Sequence, residues 1–185
     1  MVNQINNIKS TIRLLNNQIG KLEEKVNKES KKLITKGFKD LFKKYPDLKS
    51  FSWTQYTPYF NDGDECIFGA NTEYLSINAS EEEESVYQLR KFLDDLEHPR
   101  KAINALTKRI EEYKKNKWDY AYLEESIKTI QNSSIEDTKA KLKMLEDIDS
   151  VLSCISNDTY RDMFGDHVKV TVTKEGWTTE SYEHD

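Results

Sequence analysis

The first thirty residues carry an unbroken heptad pattern, and this pattern constrains the fold more than any other feature of the sequence. Alternating spacings of three and four residues separate seven apolar side chains: Ile5, Ile8, Ile12, Leu15, Ile19, Leu22 and Val26. Such spacing forms one seam along a helix and requires a second helix beside it. After Ser30 a wider, aromatic face continues to Tyr45, and Pro46 stops the helix. The sequence therefore predicts a helix over about residues 3–45.

Two further regions predict helices that pack beside the first. Residues 81–131 begin after a capping sequence at Ser80 and are expected to kink at residues 98–99, where His98 precedes a proline. A second capping box at Ser133 opens a helix over residues 134–156. The first helix would run toward a head, the second leave it and the third return. We expect an antiparallel coiled-coil stalk of three helices, or a paired stalk completed by a second subunit.

Strand chemistry is concentrated in two blocks that predict a small head. Eight of the twenty aromatic residues lie between Tyr45 and Ile77, where β-forming side chains flank a turn-like Asn-Asp-Gly-Asp sequence at residues 61–64. Near the end of the chain, three valines alternate with polar residues before a Glu175–Gly176 turn. The fold class is therefore α+β and mainly α, in a single domain of residues 1–185. Its antiparallel β head would comprise residues 50–78 and 157–185, with the second group of strands at about 165–185.

Composition narrows the class of protein further. Only 36% of the residues are hydrophobic and 33% are charged, and no apolar run approaches the roughly 18 residues that a bilayer crossing needs. Two cysteines are too few for a disulfide scaffold, and the N-terminus has no apolar signal core. We expect a cytoplasmic protein without a membrane partner.

A metal site is one interpretation of the chain end. With a Glu175–Gly176 turn, His167 would face His184 and Asp166 would face Asp185, so two imidazoles and two carboxylates could bind a divalent metal. Together with Asp62 and Asp64, these two imidazoles and two carboxylates would suit a metal-dependent phosphoesterase or a nucleotide-binding protein. The alternative is a solvated strand end, with Asp62 and Asp64 serving only the turn.

The uneven charge raises a third possibility. Residues 1–50 carry a net charge of +7 and the remainder carries −12. A basic first helix would pack on an acidic partner in the same chain or in a second copy. Alternatively, a stripe of lysines could bind nucleic acid, although the pI near 5.4 disfavours this; the stripe comprises Lys28, Lys32, Lys36 and Lys39.

Two blocks of the chain resemble a recurrent pair in proteins from bacteriophage and bacterial genomes. The first is WTQYTPYFNDGDECIF at residues 53–68; the second is FGDHVKV at residues 164–170 with the ending YEHD at residues 182–185. The resemblance implies a phage or bacterial source and a shared head for the two blocks, and it implies no particular chemistry.

The absence of a complete catalytic motif favours an interaction protein over an enzyme. Our leading hypothesis is a phage-encoded accessory factor, acting in host takeover or counter-defence, that binds a host or phage macromolecule in the host cytoplasm. It would self-associate through the coiled coil and need no cofactor, a divalent metal being the alternative. The expected binding residues of the head are Trp53, Gln55, Tyr56, Tyr59, Phe60, Asn61, Asp62, Asp64 and Tyr182.

Overall fold

The computed structural model describes residues 2–60 and 62–183, with the backbone alone described at residues 2–8 and 10. It has 60% helix and 15% strand with an antiparallel sheet, which confirms the mainly helical α+β class. The described part contains six helices: α1 (Val2–Lys44), α2 (Val86–Glu97), α3 (Pro99–Asn116), α4 (Ala121–Asn132), α5 (Ile135–Leu152) and α6 (Asn157–Phe164). No helix in the described ranges is both long and apolar enough to cross a membrane.

The strands form one antiparallel sheet in the order β4-β3-β1-β5-β6, with β2 also paired to β1. Their bounds are β1 (Ser50–Tyr56), β2 (Gly69–Ala70), β3 (Leu75–Ile77), β4 (Glu83–Glu84), β5 (Val168–Thr173) and β6 (Gly176–Ser181). Strand β5 pairs with β1 over its whole length, from Ser50 opposite Thr173 to Gln55 opposite Val168. The two sequence blocks therefore build one head, as predicted.

The helix boundaries differ from the predicted ones at residues that pair with a strand or cap a helix instead. The region predicted as helix 81–131 is wrong at its start, because Glu83 and Glu84 pair with β3 as a strand and Ser85 caps α2 by accepting a hydrogen bond from the Gln88 amide. It breaks at His98 as expected, and breaks again at Lys117, whose φ of 59° is left-handed. Ser134, rather than Ser133, caps α5.

The C-terminal hairpin has a register two residues away from the predicted one. Its loop is residues 174–175, so Thr173 lies opposite Gly176 and Val172 opposite Trp177. The Trp177 ring packs edge-on against Phe164 with centroids 5.5 Å apart. The predicted register would place Trp177 opposite Lys174, beyond the end of β5, whereas the observed one places it opposite Val172, where its ring contacts Phe164.

The connection after β1 also differs from the predicted one. The sequence predicts strands joined by a tight turn at residues 61–64, but β1 pairs with Gly69–Ala70 only after a connection of residues 57–68. Asn61 lies outside the described residues. We call residues 57–68 the head loop.

The core lies between the sheet and the helices packed on one of its faces. Phe51 and Trp53 point to this face, where Phe38 meets Phe51 edge-on at 5.5 Å and Phe164 meets Trp53 at 5.3 Å. Val170 and Val172 of β5 are also fully buried there. The aromatic stripe of α1 thus reaches the valines of the chain end through β1.

The predicted three-helix stalk is not what the structure shows. Helix α1 contacts α5 in the antiparallel sense, since Lys44 pairs with Asp147 whereas Gly37 lies beside Val151. Farther back on α1, the Asn27 amide donates a hydrogen bond of 3.2 Å to Asp162 of α6. The N-terminal half of α1 therefore extends past the end of α5 and away from the other helices. The three-helix form of the stalk is therefore not confirmed, because the prediction had both helices run toward the head whereas α1 and α5 are antiparallel.

Helices α2, α3, α4 and α5 form two packed pairs, which together make a helical hairpin. Helix α2 packs against α5, and α3 packs against α4. Glu97 of α2 and Lys139 of α5 are joined by an ion pair of 2.8 Å at the end of α2 far from the sheet. The hairpin contacts α1 through α5, at the C-terminal half of α1, so the heptad seam farther back on α1 is not completed by the helices that were expected to pack on it.

An ion-pair cluster fixes the C-terminal end of α1. The carboxylate of Asp147 accepts hydrogen bonds from three side chains, and these hold its pKa well below the ordinary value. The three donors are Lys44, Tyr45 and Lys143.

Candidate interaction site in the head

The head loop is fixed at its first residue by Asp166, the residue before the turn into β5. The Asp166 carboxylate accepts hydrogen bonds from the Thr57 amide at 2.8 Å and the Thr57 hydroxyl at 2.7 Å, and from the His167 amide at 2.9 Å. Desolvation acts to raise the pKa of Asp166, but these hydrogen bonds together outweigh it and the pKa lies below its usual value. The ionised carboxylate thus ties the loop to the C-terminal hairpin.

The other end of the loop is held by α6. Phe68 is buried in the core, and its carbonyl accepts a hydrogen bond of 3.2 Å from the Asn157 side chain. The Arg161 guanidinium lies 4.7 Å from the centre of the Phe68 ring and donates a bond of 3.3 Å to the Thr57 hydroxyl. Arg161 therefore joins the two ends of the loop to each other.

Aromatic stacking supports the loop between these anchors. The Tyr59 ring is nearly parallel to the His167 ring, at 9° and a centroid distance of 4.8 Å. His167 has a φ of 54°, a left-handed conformation that non-glycine residues seldom adopt. Beside them the rings of Tyr56 and Tyr182 are 5.8 Å apart. The chain end and the head loop thus form one continuous surface.

The middle of the head loop presents large apolar side chains to solvent. Tyr59 is 67% exposed, Phe60 76% and Ile67 70%. Asp62 and Asp64 are exposed between them, and Asp62 and Gly63 have positive φ angles that carry the chain through a turn. With Glu65 the loop has three acidic residues and no Lys or Arg. It is an acidic surface with an apolar component, held at both ends.

Two residues expected to contact a partner are instead structural. Trp53 and Gln55 are buried, and the Trp53 indole N–H donates to the Gln55 side-chain oxygen at 3.0 Å. The Gln55 amide nitrogen donates to the carbonyls of Tyr160 at 3.2 Å and Gly165 at 2.5 Å. This pair joins β1 to α6, so neither side chain is available to a partner.

Some residues of the site were not identified from the sequence. Arg161 and Thr57 fix the loop, yet a helical arginine and a threonine before a proline carry no pattern that singles them out. Ile67 could have been found, because in a strand-like run it points to the opposite side from its two neighbours, the half-buried Cys66 and the buried Phe68.

Of the four expected metal ligands, the structure describes Asp166 and His167, whose Oδ1 and Nε2 atoms are 3.7 Å apart. In the observed register Tyr182 lies across from His167, and its amide donates a hydrogen bond of 2.8 Å to the His167 carbonyl. Both oxygens of Asp166 are already used as acceptors. His184 and Asp185 lie outside the described residues, and no group of three possible ligands occurs among the described ones.

The lysines of the nucleic-acid alternative are all exposed on the second half of α1. Lys32 makes an ion pair of 2.8 Å with Glu29 one turn earlier. Lys32, Lys36 and Lys39 line one shallow surface with Lys31 and Thr35. The stripe is therefore present as a continuous basic strip on the helix.

The geometry defines an α+β protein whose head carries an anchored, exposed loop. Comparison with known proteins gives no match: no family model, no curated protein and no solved structure resembles this chain significantly.

Proposed function

We propose that this protein is a non-enzymatic interaction protein that binds a macromolecular partner through the head loop. The observation that carries the proposal is the contrast between the fixed ends of the loop and its exposed middle. Asp166 and Arg161 hold Thr57 at one end and Asn157 holds Phe68 at the other by hydrogen bonds, while Phe60 and Ile67 expose at least 70% of their surface. A preorganised loop loses little conformational entropy when it binds, and its exposed apolar side chains would gain from burial.

The charge of the loop indicates the chemistry of the partner. Asp62, Asp64 and Glu65 lie between Phe60 and Ile67 in the sequence, and the loop contains no Lys or Arg. A protein surface that combines apolar residues with Lys or Arg would complement them, and opposite charges would speed its association. We therefore expect a basic, partly apolar protein partner.

The resemblance of the two head blocks to phage and bacterial sequences supports an accessory role, such as host takeover or counter-defence, with a host or phage protein as the partner. The heptad seam of α1 supports self-association, which would present more than one head. The first resemblance block, residues 53–68, includes the head loop, whereas the heptad seam of α1 does not, so self-association can be tested separately from binding by the head loop.

Site-specific photo-crosslinking tests the head loop. A photoreactive amino acid at Phe60 in the protein expressed in its host should capture one specific protein. The same residue at Tyr87, an equally exposed aromatic on α2 at 71%, is the matched control and should not capture it.

Charge reversal checks that the capture is specific. Asp62→Lys combined with Asp64→Lys should abolish capture from position 60, because the basic partner would then face like charge. Circular dichroism should be unchanged, since both carboxylates are exposed. Equal capture from positions 60 and 87, or capture that survives the charge reversal, would refute the proposed role of the loop.

A second candidate function rests on the basic strip of α1. Of its four lysines, only Lys32 is in an ion pair within the described part of the chain, which leaves Lys28, Lys36 and Lys39 for an anionic polymer. Binding should weaken steeply between about 50 and 200 mM salt, as phosphate contacts do. Changing all four lysines to glutamate should abolish it, and a protein that binds neither DNA nor RNA at low salt would exclude this function.

A further inference from the structure

The N-terminal half of α1 carries an uncovered apolar seam. Every side chain from Thr11 to Val26 is exposed. Five apolar side chains of the heptad pattern are each 50–62% exposed: Ile12, Leu15, Ile19, Leu22 and Val26. A helix stripe of this kind gains its stability in water mainly by packing against another element. The seam therefore indicates an interaction surface.

The rest of the chain lies to one side of this seam. Helix α1 packs on the head through Ile34 and Phe38, which follow Val26 by eight and twelve residues. At 3.6 residues per turn these positions are rotated from Val26 by about 80° and about 120° around the helix axis. Val26 itself lines a cavity with Thr159 of α6, so the head borders the seam at Val26 and leaves it open to a second helix from Ile12 to Leu22.

The identities of the seam residues select the occupant. Taking Ile5 as position a of the heptad, the a positions of the exposed part are Ile12, Ile19 and Val26, and the d positions are Leu15 and Leu22. β-Branched residues at a and leucine at d are the combination that favours parallel coiled coils of two strands. We propose that a second copy of this chain covers the seam, as a parallel, in-register, two-stranded coiled coil.

The flanking charges fit this arrangement. In a parallel pair each g residue faces the e residue five positions later in the partner chain. These pairs are Thr11 with Asn16, Gln18 with Glu23, and Lys25 with Ser30, so no like charges meet. The seam from residue 5 to residue 26 spans three heptads and about 33 Å of helix. That length meets the usual minimum for a coiled coil.

This inference rests on the self-association part of the proposed function and extends it. A parallel pair places both heads at the same end of the coiled coil, so that two head loops could bind a partner with two sites together. Linked binding of this kind raises the apparent affinity without any new contact.

Disulfide trapping tests the orientation. In a chain with Cys66→Ser and Cys154→Ser, a single Leu22→Cys change puts the cysteine at a d position, next to its own copy in a parallel dimer. Mild oxidation should convert most of the protein to a covalent dimer. Leu14→Cys is the matched control, because Leu14 is 60% exposed but lies at an outward c position, and it should cross-link little.

Light scattering tests the number of chains. The mass should be twice the 21.7 kDa of one chain, and Ile19→Asp should raise the dimer dissociation constant by at least about 100-fold, because it desolvates two unpaired carboxylates. Since Ile19 is exposed in the single chain, the circular dichroism of the head should not change.

Each contrary result removes a different part of the reasoning. A monomeric mass would overturn self-association, and a mass of three or more chains would overturn the two-stranded arrangement. Disulfides that form only in a mixture of Ile12→Cys and Leu22→Cys chains would indicate an antiparallel pair and overturn the orientation. None of these results affects capture from Phe60, so failure here is distinguishable from failure of the head-loop proposal.

Discussion

Replacing Gln55 by leucine should destabilise the head more than any other polar substitution on β1. The side chain is fully buried and accepts from the Trp53 indole while donating to the carbonyls of Tyr160 and Gly165. Leucine preserves much of the volume but none of these hydrogen bonds. The substitution therefore separates hydrogen bonding from packing at the junction of β1 and α6.

The magnitude follows from the groups left without partners. The Trp53 N–H and the Gly165 carbonyl both lose their Gln55 partner, and an unsatisfied buried group costs about 1–3 kcal/mol. Because Gly165 is only partly buried, we expect a total loss of about 3 kcal/mol, which in a chain of this length lowers the melting temperature by ~6–12 °C.

Urea unfolding followed by tryptophan emission and circular dichroism measures this loss. Gln131→Leu on α4 is the matched control, since Gln131 is exposed and the same change there should stay within about 0.5 kcal/mol. A Gln55→Leu protein that unfolds at the same urea concentration as the wild type would refute the assigned role.

A second variant checks the direction of the hydrogen bonds. Gln55→Glu keeps an acceptor for Trp53 but sets a carboxylate against two carbonyl oxygens, so burial and repulsion should raise its pKa. With a folded pKa above the unfolded value, the variant should be least stable at neutral pH and recover as the pH falls. A variant whose stability does not depend on pH would contradict this orientation of the amide.

Three further substitutions test the packing and the electrostatics of α1. Gly20→Ala should stabilise the helix by up to about 1 kcal/mol, because alanine is the better helix former and nothing lies within 4 Å of the added Cβ. Gly37→Ala should show no such gain, because its Cβ would come within 3.1 Å of the Val151 side chain; equal gains in urea midpoint would contradict this contact. Asp147 has a folded pKa below its unfolded value, so its stabilisation is complete above the unfolded pKa near 3.9 and is lost as the pH falls through the folded one. Asp147→Asn should therefore lower stability at neutral pH and flatten its decline below about pH 5, and an unchanged acid titration of stability would disprove this.

Local features of the fold could be predicted from the sequence because they depend on neighbouring residues. The heptad spacing and Pro46 predict α1 and its end, and the structure ends that helix at Lys44. The alternating valines predict β5, found at Val168–Thr173. The pairing of the two strand blocks in one sheet could also be predicted, because the valine face of the C-terminal hairpin had no apolar partner within that hairpin.

The candidate site was predicted only in part. Tyr59, Phe60, Asp62 and Asp64 stand out in the sequence because they form an aromatic and acidic run, and the structure exposes all four. Trp53 belongs to the same run but is buried. Sequence composition shows that such a run is unusual, whereas the alternation imposed by β1 decides which of its side chains face the core.

Register and helix direction were decided by tertiary structure. Turn chemistry near Glu175 allows more than one hairpin loop, and the contact of Trp177 with Phe164 selects one of them. Likewise, the spacing of apolar residues in α1 requires a partner helix without saying which. The aromatic half of α1 packs into the core of the head, where Phe38 and Phe42 are buried, and the heptad half extends past the end of α5 with its apolar side chains exposed. A periodic pattern is a property of one segment, whereas register and direction depend on contacts between segments far apart in the chain.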